Sequence, residues 1–198
     1  MKPILLLLGV MALTWNTGGH AFAETVSIPV VPASLWKGGG QDVDVSATRA
    51  EAADDPDAVL FRYALLGGQS PYGYAEYIYQ GPVSFAGLPK RVRVDLEGEA
   101  AEAMVMIRFV DAEGTFFQWN VGKVDFTDWQ PIERELHPGR GGYGVFGPKV
   151  KPSEGTASPS KAFPLTAPFK LYSILLNRRF QGDDEHRSFS LRHLEIEY

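Results

Sequence analysis

Between Lys90 and Pro138 the chain passes through four short strand-type runs, reversing between one and the next, without once showing a helical period, and this constrains the fold more than any other feature. Val92, Val94 and Leu96 alternate with Arg93, Asp95 and Glu97, the period of a strand with one dry face and one wet one. Glu97-Gly98-Glu99 breaks that run, and next comes the bulky stretch Met104 to Val110. Asp111-Ala112-Glu113-Gly114 is a tight turn, with Gly114 free to take the positive φ that such a turn often requires. Phe116 to Val121 returns, Gly122 to Asp128 turns again, and Trp129 to Leu136 makes the fourth run. A chain folding back this often builds antiparallel sheet, and a sheet buries its apolar face against another layer.

The first residues read as a leader. Lys2 gives a positive start, Ile4 to Leu13 is an apolar run too short to span a bilayer, and Ala21-Phe22-Ala23 fits the small-x-small cleavage rule. Residues 1–23 are therefore expected to be a secretory signal cleaved after Ala23, which sends the mature chain to the periplasm or the medium. The chain of 198 residues contains no cysteine, so no disulfide staples it; the mature portion is long enough to bury a core unaided. A formal net charge of −5 argues against a nucleic-acid partner, whose phosphates need a basic footprint.

Residues 24–58 read as an N-terminal arm and loop, with Trp36 as anchor, and residues 59–198 as the β domain. Val59 to Leu66 is a strand. Tyr72 to Gln80 is a second, dense in tyrosine, and period two puts Tyr72, Tyr74, Glu76 and Ile78 on one side and Tyr77 and Tyr79 on the other. Glycine and proline fill 12 of the 31 positions from 138 to 168, a long excursion of the sort that is usually functional or disordered. Phe169 to Leu176 and Ser188 to Tyr198 complete the set. The prediction is an all-β jelly-roll β-sandwich of about nine strands, with a lipocalin-like closed barrel as the alternative.

The order VLFRYAL, VRVDLEGE, IRFVDAEGTFFQW, DWQPIEREL, a glycine-rich loop with aromatics, FKLYSILLN and SFSLRHLEIEY resembles the galactose-binding-like jelly roll of bacterial carbohydrate-binding modules. It runs from Val59 to Tyr198, with Asp111, Gly114 and Trp129 as its fixed marks. The resemblance implies a polysaccharide or oligosaccharide ligand. It also implies a structural calcium, for which Asp54, Asp55 and Asp57 together with Glu195 and Glu197 would be the oxygen donors. The final strand lacks the paired aspartates usual there, and an acidic surface loop is the competing reading.

Tyrosine offers a flat apolar ring with a polar edge, which matches the C–H face of a sugar. Tyr72, Tyr74, Tyr77 and Tyr79, with Tyr143 and Phe146 in the glycine-rich loop, are the candidate stacking residues; core packing or a cross-strand tyrosine ladder is the alternative. Arg108, alone among apolar neighbours, either lies on the open face of a sheet or is buried with a carboxylate; there its planar fork suits sugar hydroxyls, and Arg62 is a candidate to join it. Trp119 and Trp129 read as core. Catalysis finds little support: there is no thiol, no Gly-x-Ser-x-Gly elbow, no HExxH and no P-loop. The expected function is thus noncatalytic glycan binding on a concave sheet face or at one loop end. A periplasmic assembly protein that binds another exported protein through its sheet face is the alternative, and a polysaccharide lyase or hydrolase ranks behind both.

Overall fold

The computed structural model describes residues 23–66, 72–100, 103–138, 142–146, 149–155, 157–158, 164–179 and 185–198, with the side chains of residues 72, 178, 179 and 185 excepted. The predicted leader, the turn at 67–71 and the acidic connection at 180–184 lie outside these residues. Among the described residues no helix is long and apolar enough to cross a membrane.

The described chain forms thirteen strands: β1 (Thr25–Ile28), β2 (Trp36–Gln41), β3 (Arg49–Ala52), β4 (Val59–Leu65), β5 (Tyr72–Tyr79), β6 (Ser84–Phe85), β7 (Arg91–Glu97), β8 (Ala103–Val110), β9 (Phe116–Val124), β10 (Gln130–Glu135), β11 (Tyr143–Val145), β12 (Phe169–Arg179) and β13 (Glu185–Glu197). All strand pairings are antiparallel. The first sheet runs β10-β7-β13-β4-β3, with β1 added along β13; the second runs β11-β9-β8-β12-β5-β2, with β6 added along β12. Both sheets are open at their edges, so the fold is a jelly-roll sandwich and not a closed barrel.

Residues 24–58 contribute more than an arm. β1 pairs β13, β2 is the edge of the second sheet and β3 is the edge of the first. Between β2 and β3 the chain crosses from one layer to the other. Gly38 permits this crossing, because a Cβ on it would stand 1.9 Å from the Thr48 carbonyl oxygen. Trp36 anchors the segment as expected: it is buried, its Nε1–H donates to the Val30 carbonyl at 2.7 Å, and its ring packs on Phe61 and Tyr79.

Alternation decides what enters the core. Val92, Val94 and Leu96 of the first sheet and Val105, Ile107 and Phe109 of the second are all buried in one core. Phe61 lies at the centre of an aromatic group, 4.3 Å from the Tyr77 ring and 4.8 Å from Phe189. Tyr77, from the second sheet, donates its hydroxyl to the Arg62 carbonyl of the first at 2.7 Å, a polar tie across the sandwich. Asp111 organises the β8–β9 turn. Its carboxylate accepts the N–H groups of Glu113 and Thr115, reaches across to Thr166, and Gly114 takes a φ of +79°.

Candidate sugar-binding face

The outer face of the second sheet is built around a charged pair. On β8 period two turns Val105, Ile107 and Phe109 inward and Met106 and Arg108 outward. Cross-strand register sets Ser173 of β12 and Gln118 of β9 on either side of Arg108. Glu76 lies one strand further away, on β5. Arg108 Nη1 donates to Glu76 Oε1 at 2.7 Å, and its Nε donates to Gln118 Oε1 at 2.8 Å. Ser173 Oγ adds a bond to the same Glu76 oxygen. Arg108 and Glu76 are only 5% and 7% exposed, so the pair is buried although it sits on an outer face. Buried charge is tolerated when each partner is matched and hydrogen-bonded, and here both are.

Aromatic rings provide the cover. The Arg108 guanidinium lies 5.4 Å from the centroid of Tyr74 and 5.3 Å from that of Phe146, at cation–π range. Tyr172 is the extra residue at a β-bulge in β12, where pairing with β8 skips from Leu171 to Ser173. The bulge turns its ring toward Phe116, whose centroid is 4.7 Å away with the planes at 73°. Burial pushes the Tyr172 hydroxyl above its ordinary range, and the negative charge of Glu76 adds to the effect. Tyr74, Phe116 and Tyr172 are half-buried, so each still presents ring surface to solvent beside the pair. On one flank the chain at 157–158 covers β11: Ser158 bridges Val145, and the Ala157 methyl fills the space beside Gly144. On the other flank the space beside Gly39 of β2 is open.

The residues singled out from sequence divide between the two faces of this sheet. Tyr74, Arg108 and Phe146 come together as described, but Phe146 is fully buried against the guanidinium and offers no ring to a ligand. Tyr77, Tyr79 and Tyr143 turn inward: Tyr77 is fully buried beneath Phe61, Tyr79 packs on Trp36, and Tyr143 packs on Trp119. None of the three can stack on a ligand from outside. The Tyr72 side chain lies outside the described residues. Arg62 does not join Arg108, since it projects from the other sheet, where it pairs with Glu51. Trp119 is core as expected, but Trp129 is not; it stands half-buried on the outer side of the first sheet under the Arg192 guanidinium, 4.2 Å away. Glu76, Phe116, Gln118, Tyr172 and Ser173 were not singled out. Glu76 had a readable signal, being a carboxylate on the same strand face as Tyr74.

Several of the acidic residues considered for calcium are engaged by other partners. Asp55 is engaged by Arg192 at 2.6 Å and also caps the Asp57 N–H, while Glu197 is engaged by Arg91 and Glu195 accepts from Ser27. No group of three or more potential metal ligands converges among the described residues.

No protein-family model and no curated protein matches the chain. Solved structures do. The family 11 carbohydrate-binding module of a cellulosomal cellulase of Clostridium thermocellum aligns with a TM-score of 0.50 at 12% identity, over 88% of this chain and 93% of the module. A family 11 module from the same organism, in complex with a β-1,3-1,4-mixed-linked tetrasaccharide, aligns with a TM-score of 0.52 at 11% identity, over 87% of this chain and 94% of the other. Identity this low speaks for architecture alone: the chain shares the jelly-roll β-sandwich fold of these modules.

Proposed function

We propose that the protein is an exported, noncatalytic glycan-binding module that lays its ligand across the outer face of the second sheet. One observation carries the reading: Tyr74, Phe116 and Tyr172 present partly exposed rings around a buried ion pair that fixes their surroundings. Rings held by such a brace lose little further freedom on binding, and preorganisation of this kind preserves affinity. Arg108 acts from beneath, with Nε and Nη1 already committed, and Gln118 offers polar atoms at the rim.

A docking face for a folded protein would show a broad apolar patch. Among the described residues the only exposed large hydrophobics are Val31 and Val45, and neither is on this face. Glycoside hydrolysis would need two carboxyl groups flanking one bond, whereas the carboxylate at the centre of this face, Glu76, is held by Arg108 and Ser173. The tetrasaccharide bound to the similar family 11 module makes mixed-linked β-glucan the first ligand to try.

The test is a glycan array on the mature chain, then calorimetric titration of the Tyr74→Ala and Tyr172→Ala variants. Each lost stacking contact should weaken binding about tenfold, in line with the roughly 1–1.5 kcal/mol of an aromatic contact, while the melting temperature stays near that of the parent. Undiminished binding by both variants would remove this face from the account. N-terminal sequencing of the secreted chain tests export, with Glu24 as the expected first residue.

A further inference from the structure

We infer that the opposite side of the sandwich holds a second, independent saccharide site, for one neutral pyranose unit with equatorial hydroxyls, in a cleft walled by Trp129. The inference does not rest on the role of the second sheet.

The outer side of the first sheet opens into a cleft of about 620 Å³, within the roughly 300–1,000 Å³ usual for small-ligand sites. The chain after β3 forms one wall, the turn after β7 another, and Trp129 and Thr127 of the β9–β10 connection line it as well; Ser188 and Ser190 of β13 also face it. Trp129 is preorganised. Arg192 lies 4.2 Å from its ring and is itself held by Asp55 at 2.6 Å and Asp95 at 3.4 Å. The ring is thus fixed beside the cleft, and an indole carries a flat apolar surface of the kind that accepts a sugar C–H face.

The polar lining selects the ligand class. Glu51 is shared by Arg49 and Arg62, Asp55 is held by Arg192, and Glu99 faces Arg187 at 4.0 Å. Asp54 and Glu97 line the same cleft and enter no ion pair among the described residues. A carboxylate can accept from two adjacent hydroxyls, and serine and threonine can donate or accept. Uronates and phosphates would meet the carboxylates and be repelled. A cationic sugar would be drawn to the unpaired Asp54 and Glu97 by charge alone, and salt would weaken that attraction. A neutral pyranose whose hydroxyls are equatorial, leaving flat C–H faces, satisfies both the indole and the acceptors.

Tryptophan fluorescence isolates this site. From Glu24 onward the tryptophans are Trp36, Trp119 and Trp129; the first two are 5% and 3% exposed, so collisional quenching by acrylamide reports Trp129. The mature chain is titrated with cellotetraose, with tetragalacturonic acid and with a glucosamine tetramer, each up to roughly ten times a millimolar Kd. Cellotetraose should protect Trp129 saturably even in 1 M salt and tetragalacturonic acid should not protect it, while any protection by the glucosamine tetramer should be lost in that salt. Protection should persist in a Tyr74→Ala/Tyr172→Ala variant, which separates this site from the other face. It should weaken about tenfold in Asp54→Asn/Glu97→Gln, whose substitutions leave the Arg192 clamp intact. The inference is overturned by no protection with cellotetraose, by protection only with a charged oligomer, or by its loss in the tyrosine variant.

Discussion

Glu76 and Arg108 left water together, and their joint burial governs how each responds to substitution. Removing one partner strands the other charge in a place where it has 5–7% exposure, at a cost of about 3–5 kcal/mol. Arg108→Met or Glu76→Leu alone should therefore lower stability by that amount in urea denaturation. The double variant should recover most of it, because an apolar pair of similar volume needs no compensation. Failure of the double variant to recover would mean that the bonds to Gln118 and Ser173 matter more than the charges. A smaller effect is expected at Tyr77. Phenylalanine there keeps the ring against Phe61 but leaves the Arg62 carbonyl without its donor, costing about 1–3 kcal/mol. Legibility in the sequence has a clear limit at this scale. Period two sorted Tyr74 and Glu76 from Tyr77 and Tyr79, as the structure has it. It did not say which group was core, because alternation separates two faces without labelling them. Tyr172 was hidden for a different reason: a bulge displaces it from the strand period, and bulges leave little trace in composition.

At the scale of the element, β2 shows why edge strands were hard to find. Its Gly38-Gly39-Gly40 run has no side chains to carry a period, and β3, β6 and β11 are two to four residues long. The longer strands, β4, β5, β7, β8, β9, β10, β12 and β13, were all legible in outline. The neighbouring glycines of β2 make opposite predictions. A Cβ on Gly38 would stand 1.9 Å from the Thr48 carbonyl oxygen, whereas one on Gly39 meets nothing within 4 Å. Gly38→Ala should thus force β2 and β3 apart and lower stability by about 3 kcal/mol or more, as overpacking does at its upper end. Gly39→Ala should fall within about 0.5 kcal/mol of the parent, as surface changes usually do. Thermal melts of the two variants side by side check this, and equal effects would contradict the crossing described for residues 38–48.

Taken whole, the sandwich keeps its apolar contacts inside and, the buried Arg108–Glu76 pair apart, most of its ion pairs on the outer surface of the first sheet, and this division predicts how it unfolds in acid. The guanidinium groups of Arg49 and Arg62 hold the Glu51 carboxyl below its ordinary value of 4.5. The Asp57 N–H and Arg192 do the same for Asp55, whose ordinary value is 3.8, and His137 and Arg91 for Glu135. A carboxyl whose folded pKa is depressed binds its proton more tightly in the unfolded chain, so it adds stability above the unfolded value and loses it as pH falls through the folded one. The melting temperature should therefore be insensitive to these groups above pH of about 5 and decline from about pH 4.5 downward. All three groups are solvent-accessible, so the acid step should shrink in 1 M salt, where the Debye length is about 3 Å. A melting temperature that rose between pH 5 and pH 3.5, or an acid step indifferent to salt, would show that the surface pairs of β3, β7, β10 and β13 do not stabilise the fold. The same scan repeated with a chelator at neutral pH should be superimposable on the untreated curve, because Asp55 is held by Arg192 and by the Asp57 N–H, and among the described residues no three potential metal ligands gather around one point.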